Sequence, residues 1–178
     1  MKKLAIATLV ALSVSAYAGD TVTVEGQRIN NAGAAAQQQY VLGVKKDFGK
    51  FAGDVSFANA QTEGTNALST RLEAGATVSG PVGLYARAAI GQKYSNTADF
   101  NYYSVEPGIT APIGFGLTAK VGYRWRSAVD TANNDQTHTM RYAVAYALNK
   151  TDAVAVKYDR VQGDSNQKVV SVAYTVGF

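Results

Sequence analysis

The sequence predicts an all-β protein, and within that class a transmembrane antiparallel up-and-down β-barrel of about ten strands. Apolar side chains alternate with small or polar ones over 115–126, 140–148 and 170–178, whereas a helix would repeat about every 3.6 residues. Short turns and longer polar loops also alternate along the chain, as they do in membrane barrels. Finally, no apolar run after the N-terminal segment is long enough for a membrane helix, and a closed barrel is the other structure that satisfies its backbone in lipid.

Residues 1–18 predict a signal peptide that is removed after export. Lys2 and Lys3 form a positive start, residues 4–14 an apolar stretch, and the segment 16–18 a small-residue cleavage site. The mature chain, 19–178, is then a single barrel domain. Export predicts a location in the bacterial cell envelope.

The alternating segments give the strand count. They span 20–29, 37–47, 50–60, 67–79, 82–94, 100–111, 115–127, 137–148, 152–162 and 166–178. An even number brings both chain ends to the same side of the membrane, as single-chain bacterial barrels require. The first segment is short, and eight strands is the alternative if one weak pair of segments is loop.

One proline interrupts this pattern. Pro107 lies inside the segment 100–111, and its missing N–H cannot donate to a strand ladder. With Gly108 beside it, a β-bulge or kink is expected there.

Composition excludes several kinds of site. The chain has no cysteine and a single histidine, so disulfides and thiolate zinc sites are excluded, and neither a metal nor a cofactor is predicted. The export segment takes two of the 17 basic residues, which leaves a small excess over the 13 acidic ones. No basic run interleaved with aromatic residues indicates nucleic-acid binding.

Charged residues share one face of the predicted strands. This face is expected to line the lumen, because an Arg or Lys facing lipid at the membrane centre costs about 2–4 kcal/mol; a soluble barrel would instead enclose its apolar face. The predicted lumen residues, nine basic and five acidic, are Glu25, Lys45, Asp54, Arg71, Glu73, Arg87, Lys93, Glu106, Lys120, Arg124, Arg126, Arg141, Lys157 and Asp159.

Aromatic residues on the opposite face are expected to form two belts at the membrane interfaces. Those near the short turns are Phe51, Phe115 and Phe178, and those near the longer loops are Phe57, Tyr94, Tyr103, Trp125, Tyr142 and Tyr158.

The C-terminal strand carries the most specific motif. Residues 172–178 alternate and end in Phe178, which resembles the assembly signal of bacterial outer-membrane proteins, with Tyr174 and Val176 on the same face. The mature chain as a whole resembles the small outer-membrane β-barrel superfamily, which includes OmpA-type domains, OmpX-like proteins and short porins. The resemblance implies an outer-membrane location, contact with its lipid, and periplasmic chaperones and the barrel-assembly machinery as partners during biogenesis. It leaves function open, since such barrels serve as anchors, pores, adhesins or enzymes.

An enzyme on this scaffold would depend on His138. Barrel lipid hydrolases and omptin-like proteases need a histidine beside a serine or aspartates, and Ser127, Asp130 and Asp135 are the nearest in sequence. The motifs of those enzymes are absent from the chain, so the sequence predicts a protein that is not an enzyme.

Two functions remain. One is a structural barrel or a narrow passive pore. Its basic excess is expected to favour anions and comprises Arg71, Arg87, Lys120, Arg124, Arg126 and Arg141. Removing Arg124 and Arg126 together is expected to weaken that preference; an internal ion-pair network that fills the lumen is the alternative interpretation of the same residues. The other is a surface interaction or adhesion barrel that presents the loops 127–136 and 162–166 to a partner. The sequence does not determine the oligomeric state.

Overall fold

A computed structural model describes residues 20–65, 67–95, 99–129 and 135–178. The predicted signal peptide lies outside the described residues. The strands of the described chain are β1 (Thr21–Asn31), β2 (Gln37–Phe48), β3 (Phe51–Thr62), β4 (Leu68–Ser79), β5 (Leu84–Ser95), β6 (Phe100–Gly114), β7 (Leu117–Ala128), β8 (Gln136–Ala147), β9 (Ala153–Gly163) and β10 (Gln167–Gly177).

The strands form a closed barrel in which each pairs antiparallel with its neighbours in sequence, and β1 closes the ring against β10. The closing pair runs without interruption from Thr21 opposite Gly177 to Asn31 opposite Gln167. Beyond it, the Phe178 N–H donates to the Asp20 carbonyl oxygen at 3.0 Å. Closure removes the exposed strand edges that would be unsatisfied in lipid. The ten-strand prediction is confirmed, and the eight-stranded alternative is wrong.

The two ends of the barrel differ. At one end, called here the turn end, lie both termini of the described chain and short connections such as Pro81–Gly83, a single 3-10 turn. In the β2–β3 turn, Gly49 adopts a φ of +82° and donates its N–H to Asp47 Oδ1 at 2.9 Å. The connections at the opposite end, called the loop end, are longer on average, and the longest of them joins β7 to β8.

The irregularity of β6 lies further along the strand than expected. Pro107 pairs in register with Ala86 of β5. On its other side, the pairing with β7 is interrupted at 106–107 but resumes at Gly108 in the same register. The register shifts instead between Pro112 and Gly114. The expected bulge at Pro107 is therefore wrong, because a local gap in one ladder is enough to accommodate its missing N–H.

Burial alternates along the strands with the predicted period of two. In β10, for example, Val169, Ser171 and Ala173 are buried while Val170 and Val172 are exposed. The exposed positions form a continuous apolar outer surface, which includes Ile90 at 69% exposure. Such a surface would aggregate in water and suits a lipid environment. The prediction that the apolar face points outward is confirmed.

Outward aromatic rings pair between neighbouring strands. Tyr103 and Trp125 meet edge to face with ring centroids 5.2 Å apart, and Tyr142 stacks on Tyr158 at 6.4 Å. Phe51, at the turn end, is exposed. Phe51, Tyr103 and Trp125 lie near strand ends, where the two belts are predicted, whereas Tyr142 and Tyr158 lie in the middle of their strands. No helix within the described ranges is long and apolar enough to cross a membrane.

Candidate functional site

The charged residues singled out by the sequence come together inside the barrel. All fourteen occupy inward strand positions, because the period of two sends every second side chain to the same face. A cavity of about 270 Å³ is lined by twelve of them: Glu25, Lys45, Asp54, Arg71, Glu73, Arg87, Glu106, Lys120, Arg124, Arg141, Lys157 and Asp159. The other two, Lys93 and Arg126, line a second cavity at the loop end, together with Arg71.

One ion-pair cluster joins three adjacent strands. Arg87 of β5 donates to both carboxylate oxygens of Asp54 in β3, with Nε 3.0 Å from Oδ1 and Nη2 2.5 Å from Oδ2. Its third nitrogen, Nη1, lies 2.8 Å from Glu73 Oε1 in β4. Bidentate pairs of this kind hold both partners in one geometry. Arg87 is therefore committed to its two carboxylates.

Glu73 also links strands that are not neighbours. Its Oε2 accepts a hydrogen bond from the Tyr102 hydroxyl of β6 at 2.8 Å and lies 3.9 Å from Arg124 Nη1 of β7. The side chains of Glu73 and Arg124 are only 5% and 10% exposed. Contacts that skip one or two strands extend from the wall into the lumen, so this part of the interior is occupied by side chains.

A second cluster surrounds Glu106. Arg141 donates to Glu106 Oε2 at 2.8 Å and to Asp159 Oδ2 at 3.1 Å, while the Tyr85 hydroxyl donates to Glu106 Oε1 at 2.9 Å. Lys120 Nζ lies 3.9 Å from the same Oε1. Each charge in this cluster therefore has a partner of opposite sign, which offsets the cost of removing it from water.

Near the seam, Lys157 of β9 donates to Glu25 Oε2 of β1 at 2.6 Å, passing over β10. Lys45, closer to the turn end, lies 3.4 Å from Asp47 and is half-exposed. Most of the predicted lumen charges are thus paired within the barrel.

Two tyrosines of this network are not among the lumen residues predicted from the sequence. Tyr85 and Tyr102 point inward, where each donates to a carboxylate. The sequence does contain a signal for both. Each lies an even number of residues from a charged residue on its own strand, and therefore on the same face, and glycines lie against their rings. A side chain at Gly91 would collide with the Tyr102 ring, and one at Gly108 with the Tyr85 ring. Glycine is required where another side chain comes this close to the backbone.

The second cavity, called here the vestibule, has a different charge balance. Its volume is about 330 Å³, and its charged lining residues are Arg71, Lys93 and Arg126, without a carboxylate. Arg126 pairs with Asp135 at 2.9 Å. Arg71 and Lys93 lie directly opposite each other on β4 and β5, and within the described part of the chain neither is in an ion pair. The vestibule therefore concentrates positive charge.

His138 lies on the outer face of the barrel rather than in a polar site. Its Nδ1 is 2.9 Å from the Tyr123 hydroxyl, and the two rings stack at 6.0 Å. Asp135 is held by Arg126, and Asp130 lies outside the described residues, as do residues 131–134 of the same loop. No group of residues suited to hold a metal ion occurs among those that are described.

The residues of the predicted assembly signal follow the outer face of the last strand. Tyr174 donates its hydroxyl to Asp152 Oδ2 at 3.2 Å, and Phe178 is exposed beyond the strand end. Their recognition by an assembly machinery stays a prediction.

Comparison with solved structures supports the fold. The translocator domain of autotransporter NalP from Neisseria meningitidis is similar with a TM-score of 0.57 and 8% identity, covering 99% of this chain and 94% of that one. The NanC porin gives a TM-score of 0.55 and 10% identity, covering 88% and 98%. This chain has the fold of the bacterial outer-membrane β-barrels. Its apolar outer surface suits a location in the outer membrane. The narrower resemblance to OmpA-type and OmpX-like proteins stays a prediction.

No protein-family model matches the sequence, and no curated protein matches it either. Sequence identities of 8% and 10% show the fold alone, and a shared fold does not determine function.

Proposed function

We propose that the protein is an integral outer-membrane barrel that acts as a narrow passive pore favouring anions, and that it is not an enzyme. The observation that carries this proposal is the vestibule, where Arg71 faces Lys93 across neighbouring strands and no carboxylate lines the cavity. Like charges directly opposite each other destabilise a sheet. An anion entering from the loop end offsets that repulsion, so the vestibule favours anions over cations.

The ion-pair clusters argue for a narrow passage. A barrel of about this strand number has an interior that side chains largely fill, and here Glu73 reaches Arg124 across it. Beside the clusters, the inner cavity has a volume of only about 270 Å³. Small ions fit such a space, whereas large solutes do not.

Because Arg124 and Arg126 are each paired with a carboxylate, they are not expected to set the ion selectivity of the pore. Both were singled out by the sequence, but Arg124 lies against Glu73 and Arg126 against Asp135. A cation paired with a carboxylate contributes little net field at a distance. The selectivity is therefore assigned to Arg71 and Lys93.

The test is the reversal potential of the mature protein in a planar bilayer under a salt gradient. The wild type is expected to conduct in small steps with an anion preference. The variant R71Q/K93Q should lose anion preference, by roughly fourfold for each charge removed from a site about 5 Å from the passing ion. The matched control K46Q/K50Q removes two cations at the turn end and should keep the wild-type preference.

A correctly folded wild-type barrel that stays electrically silent would contradict the pore and leave a structural barrel. Conduction with unchanged selectivity in R71Q/K93Q would contradict the assignment to the vestibule.

A further inference from the structure

The outer face of the described strands carries four charged residues, and all are basic: Arg28, Lys46, Arg160 and Lys168. Lys46 lies at the turn end. The other three lie together at the loop end on adjacent strands, and we call them the basic patch. Outward charges are costly within the hydrocarbon layer, so their grouping on one side of the barrel requires an explanation.

The patch is contiguous and short of anions. Arg160 of β9 lies directly opposite Lys168 of β10, and Lys168 lies opposite Asn30 of β1, two residues beyond Arg28. Arg28 pairs with the exposed Glu63 at 3.2 Å. Within the described ranges, Arg160 and Lys168 form no ion pair. Two directly opposed cations repel each other, and a counter-charge from outside the protein would relieve that repulsion.

The depth of the patch matches a headgroup layer. Lys168 is the second residue of β10 at its loop end, and Phe178 lies ten residues further on, at the turn end. Ten strand residues advance about 34 Å, which at a strand tilt of about 40° spans about 25 Å, the height of the apolar band of such barrels. The basic patch therefore lies at the edge of that band, where lipid phosphates are found.

A groove runs beside the patch on the lipid-facing surface. Its volume is about 280 Å³, and its lining includes Gly26, Arg28, Tyr40, Val170 and Val172. Gly26 points outward, and a side chain added there would meet no atom within 4 Å. The groove thus combines a cation at its rim with an apolar floor, which fits an acyl chain attached to an anionic headgroup.

We infer that the basic patch and this groove form a binding site for a phosphorylated glycolipid of the lipid A type. The loop end is the end expected to face outward, because outer loops of these barrels are longer than periplasmic turns, and lipid A is the membrane anchor of the outer leaflet. Its phosphates pair with Arg160, Lys168 and Arg28, and one of its acyl chains lies in the groove at Gly26. This site is independent of the lumen and of the proposed pore.

Native mass spectrometry of the mature protein in zwitterionic micelles tests the site. Bisphosphorylated lipid A is expected to bind more tightly than its dephosphorylated form and more tightly than phosphatidylglycerol. The variant R160Q/K168Q should bind lipid A about thirtyfold more weakly, since each surface cation contributes about a factor of five to anionic-lipid binding. The control K46Q/K50Q should bind as the wild type does.

A third variant separates the groove from the charges. Gly26→Leu fills the groove without changing charge, so it should weaken binding of lipid A while leaving the preference for the phosphorylated form intact. Equal affinity for phosphorylated and dephosphorylated lipid A would overturn the inference. So would equal affinity for phosphatidylglycerol, or an equal loss of binding in K46Q/K50Q.

Discussion

Glu73 of β4 and Arg124 of β7 approach each other across the lumen, with Oε2 and Nη1 3.9 Å apart. Two strands separate them in the barrel wall. Glu73 also bonds Arg87 and Tyr102, so a single carboxylate joins four strands. This residue is the centre of the network that narrows the lumen.

Replacing Glu73 with Gln should destabilise the barrel strongly. The change leaves Arg87 with one carboxylate partner and Arg124 with none, and removing one member of a buried ion pair costs about 3–5 kcal/mol. The free energy of unfolding, measured by urea titration of the protein in vesicles, should fall by an amount near the lower end of that range because the Glu73 and Arg124 side chains line a cavity of about 270 Å³ and are not fully enclosed by protein.

The matched control for Glu73→Gln is Glu63→Gln, which breaks the exposed pair with Arg28. Exposed pairs contribute about 0–1 kcal/mol. Equal losses in the two variants would mean that Glu73 is not at the centre of a buried network.

Gly91 accommodates the Tyr102 ring. An alanine Cβ at this position would collide with the ring and lie 2.8 Å from the Leu72 carbonyl oxygen. Gly91→Ala should therefore lower the free energy of unfolding by about 1–3 kcal/mol, the usual effect of overpacking. Gly53→Ala, where no atom lies within 4 Å of the added carbon, should change it by less than about 0.5 kcal/mol. Similar effects at both positions would contradict the close contact.

Val156 lies on the outer face of β9 and is exposed. If this face meets hydrocarbon, Val156→Arg should cost about 2–4 kcal/mol in vesicles, because a charge at that depth is poorly solvated. Val82→Arg, in an exposed turn at the turn end, should cost less than about 0.5 kcal/mol. Equal tolerance of arginine at the two sites would argue against the lipid-facing assignment.

The β8–β9 turn contains a carboxylate stabilised in its charged form. Hydrogen bonds from the Asn149 amide and the Thr151 hydroxyl hold the pKa of Asp152 below its ordinary value of 3.8. Because the folded pKa is the lower one, the contribution to stability is present above the unfolded pKa and is lost as pH falls through the folded value. A carboxyl carbon-13 NMR titration should show the lowered midpoint.

Asn149→Ala removes the largest cause and should raise the Asp152 midpoint towards 3.8. Lys150→Ala, in the same turn, keeps those hydrogen bonds and should leave the midpoint where it is. A midpoint unaffected by Asn149→Ala would show that the turn does not stabilise the charged carboxylate.

The strand number and the two faces could be predicted because they depend on a local period. The alternation of apolar and polar residues around Val170 and Ser171 is enough to assign the first to the outer face and the second to the inner face. The contacts across the lumen could not be predicted, because the approach of Arg124 to Glu73 depends on closure of the barrel and on the stagger of its strand register. The lumen tyrosines are absent from the predicted lumen set because that set contains only charged residues, although Tyr85 lies two residues from Arg87 and therefore on the same face.

The outward-facing basic patch could not be predicted from the sequence either. Arg160 and Lys168 lie near strand ends, where alternation no longer distinguishes loop from lipid face, and their pairing appears only once the register of β9 and β10 is known. The position of the β6 bulge was likewise not readable from Pro107, since both the gap at 106–107 and the register shift near Gly114 depend on how β7 pairs.

The charged face of the barrel is enclosed, and its apolar face meets lipid. Adjacent residues on β8 test this orientation: Val144 is exposed on the outer surface, while Ala143 lines the lumen cavity. The chain has no native cysteine, so V144C and A143C can each carry a single fluorophore in vesicles containing brominated lipid. We expect strong quenching of the label in V144C and little in A143C. The reverse pattern, or equal quenching at both sites, would contradict this orientation.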